Sequence, residues 1–546
     1  MTLTSIILTN FINFIPIFWG IHDWLKFILT CIIIYIANFY FKYYTRINPL
    51  PGPFPIPIIG TLYTLKGGIG NGILLLQKQY GEIFEIWHLS NRRIILGNAE
   101  YIDKLLTPST KSKYLKRNIE NEGLIELGIN FQGILQNCDI NTWRFNKHFI
   151  NQAMLSPSFN NKSFDLTHKL WYEMENYLNL LNNENLLIDL SPWMHRYSTD
   201  MIVEVITGKR SYSLPIYYNK ISKNEDIKEE IPSIAIKESE ELIFRLHKFL
   251  RNLPLFVFSS YWLRHYVPII KNKTKEALNN RDWLFQRILT IVKERRKEIE
   301  EIHDNKLLNN DMLTLLIIAN TERDIKENYS KSNEEKFSRP MTDQEIMSVI
   351  LDSFIGGSDT TSHFMCFIVY RIAKNSKVLN RLREELDSIY GQNRTRQVTP
   401  EDLIKLKYTE AIIKETARIL PVSPIILRFN SEDDEIAGYK WPRNTAFTMH
   451  FAGIHHNKRY WKDPEEFNPD RFMFNEEIKN SLIIFGGGLR ACPARRMSMI
   501  VLKCLIVLIF RKYDIELIDK DAPLDYSSTI INTCNKLYIK MNPRKD

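Results

Sequence analysis

Phe485-Gly486-Gly487-Gly488-Leu489-Arg490-Ala491-Cys492-Pro493-Ala494 places one cysteine behind a glycine-rich, arginine-bearing loop. A run beginning at Met497 reads as a helix, with Met499, Ile500, Leu502, Ile506 and Val507 as its apolar residues. The glycines let the backbone bend around the sulfur and aim N–H groups at it. The start of the following helix adds positive potential, which predicts a thiol of lowered pKa. A thiolate in that setting is suited to ligate haem iron. Arg490 then offers a fixed cation for a haem propionate, and Phe485 a ring to pack on the porphyrin.

This run resembles the cysteine-ligand signature of the cytochrome P-450 superfamily, the haem-thiolate monooxygenases, of the membrane-bound eukaryotic type. Aromatic, glycine, arginine and cysteine fall at the family's offsets. Ala494 departs from it, since most members carry glycine there. The resemblance implies a mainly α fold with small β-sheets: one large haem domain behind an N-terminal membrane anchor.

Further motifs agree. Gly356-Gly357-Ser358-Asp359-Thr360-Thr361 lies inside a long helical pattern. Two glycines in a helix interior cost about 2 kcal/mol relative to alanine. That cost predicts a local distortion, with room for dioxygen and a water. The run resembles the family's oxygen-activation motif, which casts Thr360 as a hydrogen-bonding group and Asp359 as a carrier of protons. Glu415 and Arg418, three apart, share one helix face and alone read as an ordinary surface pair. Downstream, Asn468-Pro469-Asp470-Arg471-Phe472 resembles the family's Pro-x-Arg-Phe segment, which implies a buried triad of Glu415, Arg418 and Arg471. Trp143-Arg144-Phe145-Asn146-Lys147 resembles Trp-x-x-x-Arg, with Lys147 in the arginine's place. Lysine keeps the charge and loses the planar fork. By the same resemblance Trp143, Lys147 and Arg428 join Arg490 and Phe485 in holding the cofactor. His363, His455 and His456 read as local structure.

The net charge is +9, from 72 basic and 63 acidic residues, and no dense basic tract argues for nucleic acid. Cys31, Cys138, Cys366, Cys492, Cys504 and Cys534 are scattered without CxxC pairs, which predicts a reducing compartment and an unpaired Cys492. Residues 1–48 form the predicted anchor region. Thr4–Trp19 and Phe27–Phe41 are its two apolar stretches, the second reaching Tyr44 and coming closest to the roughly 20 residues of a span. A hairpin of both stretches in one leaflet is the alternative. Lys42 and Arg46 place the main domain on the cytosolic side, and the resemblance implies the endoplasmic reticulum. Residues 49–60, dense in proline, resemble the family's hinge and read as a stiff spacer. Residues 61–546 form the predicted catalytic domain. Helix dominates from Trp143 to Leu420, strand-like runs lie near Glu82–Leu96 and Ile436–Met449, and Lys220–Glu241 and Asn320–Pro340 read as surface loops. Leu253–Phe258 with Tyr261 and Trp262 reads either as a second membrane contact or as core.

Gly67, Gly68, Gly70 and Gly72 fail a dinucleotide fingerprint, because Ile73 stands where its third glycine belongs. With no flavin or nicotinamide site in the sequence, electrons are expected from another protein. The resemblance implies haem b with an axial thiolate, an NADPH-dependent reductase, cytochrome b5 as a further candidate donor, membrane lipid, and a lipophilic small-molecule substrate. Arg495, Arg496 and Lys503 are the expected docking cations. Phe354, Ile355, Ile425, Ile426, Ile530 and Ile531 are the expected pocket residues. The expected reaction is hydroxylation or epoxidation. A haem-thiolate isomerase or dehydratase is the alternative, as is a non-catalytic haem-binding membrane protein.

Overall fold

A single helix, Asp343–Lys374, runs through the middle of the molecule and is buried along most of its length. Its start is fixed by a reciprocal cap: Glu345 N–H donates to Thr342 Oγ1 (3.3 Å), and Thr342 N–H donates to Glu345 Oε2 (2.9 Å). In the computed structural model, residues 20–184, 186–222, 231–304, 308–309, 311–324, 338–391, 393–473 and 480–544 are described.

Helix Leu190–Thr207 packs most extensively on the central helix. The close approach is local: a Cβ on Gly357 would lie 2.5 Å from the Ile202 side chain. Helix Pro268–Glu301 also packs directly on the central helix, Ser233–Phe258 packs mainly on Pro268–Glu301, and Arg495–Lys512 makes a smaller contact with the central helix. The predicted strand near Glu82–Leu96 is a hairpin, Ile83–His88 with Asn91–Leu96. It continues through a parallel partner, Ala446–His450, to an antiparallel edge strand, Ile425–Phe429. The mainly helical architecture with small sheets is as expected.

The apolar helix extends over Ile21–Tyr44, so His22, Asp23 and Lys26 belong to its first turns rather than separating two stretches. It is long and apolar enough to cross a membrane and is mostly exposed. The other apolar stretch, Thr4–Trp19, lies outside the described residues, as do parts of Lys220–Glu241 and Asn320–Pro340. The first of these two segments is not all loop, since a helix begins at Ser233. Nor does the proline-rich segment stand off as a free spacer. Glu85 N–H donates to Pro51 O (2.9 Å), and Gly60 bridges to His88. Arg46 and Arg92 both pair with Glu85, at 2.7 and 2.5 Å, tying the end of the apolar helix to the hairpin. The aromatic patch divides. Phe256 is core, whereas Tyr261, Trp262, Tyr266 and Ile269 are exposed.

Glu415 and Arg418 lie on helix Lys407–Ile419 and are fully buried. Arg418 grips Glu415 in two bonds of 2.8 Å, and Arg471 Nε donates to Glu415 Oε1 at 3.1 Å. Arg418 also donates to the carbonyls of His455 (2.9 Å), Pro464 (2.7 Å) and Glu466 (3.0 Å). One ion pair thus pins a helix to an irregular segment that has few regular backbone bonds of its own. Glu415→Ala strands Arg418 in a dry interior and is expected to cost about 3–5 kcal/mol in denaturant unfolding. Arg471→Ala, at the exposed edge of the network, is expected to cost less. Equal losses, or a loss below about 1 kcal/mol for Glu415→Ala, would show that the network does not hold this region.

Candidate functional site

The cysteine loop turns on Gly486 and Gly488, both at positive φ (70° and 61°), where a side chain would be strained. At Gly488 a Cβ would also approach the Leu106 carbonyl oxygen to 2.7 Å. Cys492 N–H donates to Phe485 O (2.9 Å), closing the loop. Ala494 sits at φ −84°, ordinary for alanine, which accounts for the departure from glycine. Cys492 lies deep in the molecule, yet it is exposed onto a cavity of about 320 Å³.

That cavity is lined on one side by Phe485, Arg490, Ala491 and Cys492, and on the other by Gly356, Gly357, Thr360 and Thr361 of the central helix. Trp143, Lys147 and Arg117 also face it, as do apolar Met201, Ile202, Phe364 and Ile426. The lining is mostly apolar, as in small-molecule sites generally.

Positive charge collects beside the thiol. Arg490 is buried, with its guanidinium 4.5 Å over the Trp143 ring. Arg117 Nη2 donates to Arg490 O (3.0 Å). Burial, then mutual repulsion with Arg117 and Arg428, pushes Arg490 well below its ordinary pKa. Burial and Arg117 do the same to Arg428. Arg490 Nε and Nη1 and Arg117 Nε find no hydrogen-bond partner among the described residues. Buried guanidinium donors left open beside a thiol call for a dianionic group. The two propionates of a porphyrin would match that donor set, with Cys492 as the residue available to hold its iron.

Several expectations change. Burial pushes the Cys492 thiol up; the Ala494 N–H and the charges of Lys147, Arg117 and Arg495 only partly offset it, so a lowered pKa does not follow from the loop alone. Lys147 Nζ donates to Ala491 O (2.8 Å), bracing the cysteine loop, and burial pushes its pKa down to about 8. Arg428 is buried in its strand, donates to Leu427 O (3.0 Å) and does not itself line the cavity. Lys503 is buried and bound to Glu410 Oε2 (2.7 Å), leaving Arg495 and Arg496 exposed on that face. Of the expected pocket residues only Ile426 lines the cavity; Phe354 is core and Ile530 is half exposed at the surface.

The central helix remains α-helical through its glycines, so whatever distortion they allow stops short of a break. Thr360 Oγ1 donates to Gly356 O (2.6 Å), which leaves its lone pairs toward the cavity side. Asp359 is not at the cavity. Its Oδ1 lies 2.8 Å from His195 Nε2 on helix Leu190–Thr207. Burial raises its pKa, but the His195 hydrogen bond and the nearby histidines outweigh that and leave it below the ordinary value. His363 Nδ1 accepts from Cys534 N–H (3.3 Å) and His455 Nε2 from Ile483 N–H (3.0 Å), both structural contacts.

Two polar residues at the cavity carry no spacing signal. Arg117 ends a basic run, Lys111 to Arg117, that reads as solvated charge. Asp352 lies two helical turns before Thr360 and accepts from the N–H groups of Ile134 (2.6 Å) and Leu135 (2.9 Å).

A family model described as Cytochrome P450 matches residues 50–541. The chain is 24% identical to isoflavone 2'-hydroxylase of Glycyrrhiza echinata, over 87% of each chain. It is 26% identical to tabersonine 6,7-epoxidase isoform 1 of Catharanthus roseus, over 82% of this chain and 81% of that one. It is 24% identical to cytochrome P450 76T24 of Catharanthus roseus, over 87% of this chain and 88% of that one.

Burial pushes the Asp352 carboxyl up from 3.8 to about 6, against the two N–H groups and the charges of Arg490 and Arg117. The folded protein therefore takes up this proton more readily than the unfolded chain. Wild type is expected to lose stability relative to Asp352→Asn as pH rises through that interval, with the difference constant above it. Melting temperatures of both proteins, taken from the acid side of the window to neutrality, check this. Parallel curves would remove Asp352 as the titrating group.

Proposed function

The chain belongs to the cytochrome P450 family and is an oxidoreductase of the monooxygenase class, and we propose that it is a membrane-anchored haem-thiolate enzyme whose iron is held by Cys492. One observation supports this reading above others: a thiol opens onto an apolar cavity whose rim carries buried guanidinium donors without partners. We assign residues 1–48 to the anchor region, 49–60 to the hinge and 61–546 to the catalytic domain. Helix Ile21–Tyr44 is compatible with membrane anchoring. The endoplasmic-reticulum membrane, with the catalytic domain facing the cytosol, is the proposed setting.

The haem, when bound, supplies the activation of dioxygen and the transfer of one oxygen atom to an organic substrate. The chain's residues prepare the site. The Ala494 N–H directed at Cys492 and the ammonium of Lys147 favour the thiolate over the thiol. Arg490 and Arg117 would hold propionates through their open donors, with Arg428 adding positive potential nearby. Trp143 packs under the Arg490 guanidinium and fixes its plane. Phe485, in the cavity lining, would pack against the macrocycle. The triad of Glu415, Arg418 and Arg471 serves folding and cofactor retention rather than chemistry.

On the other side, Thr360 offers a hydroxyl whose proton is engaged by Gly356 O, so its oxygen is free to accept a hydrogen bond from a water in the cavity and hold that water in place. Asp359, one residue back and facing the seam with His195, holds a carboxylate that accepts and passes on protons away from the apolar chamber. Met201, Ile202, Phe364 and Ile426 exclude bulk water and favour a lipophilic substrate. Hydroxylation or epoxidation is the proposed outcome; the relatives named for such reactions support the class and leave the substrate open. Electrons come from an external NADPH-dependent reductase, with cytochrome b5 as a second candidate. The exposed Arg495 and Arg496 suit an acidic partner at the face next to Cys492.

A reduced-plus-carbon-monoxide difference spectrum tests the ligand. The thiolate-type Soret band is expected in wild type and absent in Cys492→Ala. A histidine-type spectrum unaffected by that substitution would overturn the assignment. Thr360→Ala is expected to keep the spectrum while productive oxygenation falls by a factor on the order of 10² and reductase-supported NADPH oxidation ends increasingly as released hydrogen peroxide. An unchanged peroxide fraction would remove Thr360 from proton delivery.

A further inference from the structure

Three helices bring two imidazoles and a carboxylate to one point beside the central helix. His195 comes from Leu190–Thr207, His247 from Ser233–Phe258 and Asp359 from Asp343–Lys374. His195 Nε2 lies 2.8 Å from Asp359 Oδ1 and 2.8 Å from His247 Nε2, and His247 Nε2 lies 3.9 Å from Asp359 Oδ1. Sequence spacing gives no hint of the cluster, because the three residues are far apart in the chain.

Hydrogen bonding alone leaves this arrangement poorly satisfied. Each Nε2 has either one proton or one lone pair. With the imidazoles neutral, one proton on His195 must be shared between the carboxylate and the second imidazole. A proton on His247 as well would point the two N–H groups at each other. A cation at the common point accepts all three lone pairs at once. Zinc–nitrogen and zinc–oxygen bonds of about 2.0–2.2 Å, arranged tetrahedrally, place ligand atoms roughly 3.3–3.6 Å apart. The observed separations bracket that range, so the two short ones must open by roughly 0.5–0.8 Å and the long one close by roughly 0.3–0.6 Å, changes within reach of side-chain rotation. His195 and Asp359 side chains are only 12% and 13% exposed, whereas His247 is 51% exposed, which gives the ion a way in and leaves a position for water. Two cations, Arg196 and Arg251, lie near His247, and Arg196 is paired with Glu240 (3.2 Å).

We propose that His195, His247 and Asp359 form a binding site for a zinc-class divalent cation, three protein ligands with a fourth position open to water. Imidazole and carboxylate donors in this number suit zinc rather than calcium or magnesium, which prefer all-oxygen shells. The site has a consequence that rests on the proposed function. An ion there occupies the Asp359 carboxylate and takes it out of proton transfer, so zinc slows turnover without touching the face that carries Cys492.

The full-length, haem-loaded protein in detergent is stripped with a chelator and titrated with zinc chloride against a chromophoric zinc indicator. One zinc ion per chain is expected in wild type, with affinity weakened by more than about tenfold in both His247→Ala and Asp359→Asn. The carbon-monoxide spectrum of each variant reports that the haem site is intact. His247 is partly exposed, so its truncation leaves the core in place. Zinc that binds equally to all three proteins, or to none, overturns the site; the exposed Cys31 is then the leading adventitious ligand. Reductase-supported NADPH oxidation is followed in parallel. The fraction inhibited by zinc is expected to fall in His247→Ala. Binding that depends on His247 without inhibition in wild type overturns the role of Asp359 in proton transfer while the ion site stands.

Discussion

Buried positive charge around a single thiol is the constraint on which the rest of the structure depends. Arg117, Arg490 and Lys147 face one cavity, and Arg428 stands behind them. Only Asp352 is close enough to offset them among the carboxylates that line it. Burying unpaired guanidinium is costly, so the arrangement is stable only when an anionic group completes it. The loop geometry serves the same end. Positive φ at Gly486 and Gly488 lets the backbone pass close to Leu106 and turn Cys492 inward, while Lys147 braces the loop through the Ala491 carbonyl. Behind it, the Glu415–Arg418 pair fixes the irregular segment through three carbonyls.

The cysteine loop was legible because its chemistry is local. Glycine, arginine and cysteine at fixed offsets specify a turn whatever surrounds it. The triad was legible only through order along the chain, since an i,i+3 pair reads the same on a surface as in a core. Arg117 was not legible. Its role comes from a backbone bridge between Lys116 and Phe429 that carries it inward, and nothing in a basic run announces such a bridge. Lys503 failed for the converse reason: a lysine on a helix after the cysteine looks available until the fold seats Glu410 against it.

Helix phase decides which residues of the central helix reach the cavity. Each residue of an α-helix advances about 100° around the axis. Asp352, Gly356 and Thr360 therefore form one line along the cavity face. Had that line been drawn from Gly356 and Thr360, Phe354 and Ile355 would have been placed off it, and Asp359 on the flank. Acid and alcohol, adjacent in sequence, face different surroundings: the alcohol an apolar chamber, the acid a histidine-lined seam between helices.

The same glycine pair links these two environments. A Cβ on Gly356 would meet nothing within 4 Å, so that glycine leaves space on the cavity side. Gly357 meets Ile202 and sets how closely helix Leu190–Thr207 approaches. His195 rides on that helix, so the distance from His195 to Asp359 is fixed by the packing that Gly357 permits. The roughly 2 kcal/mol of helix propensity given up at the two glycines thus produces two separate effects without breaking the helix. One opens volume opposite Cys492. The other draws a second helix close enough for an imidazole to reach the carboxylate. A larger residue at position 357 would push on Ile202 and separate His195 from Asp359, and because Gly357 and Ile202 also line the cavity it would reshape that wall as well, so the seam and the chamber are coupled through this one contact.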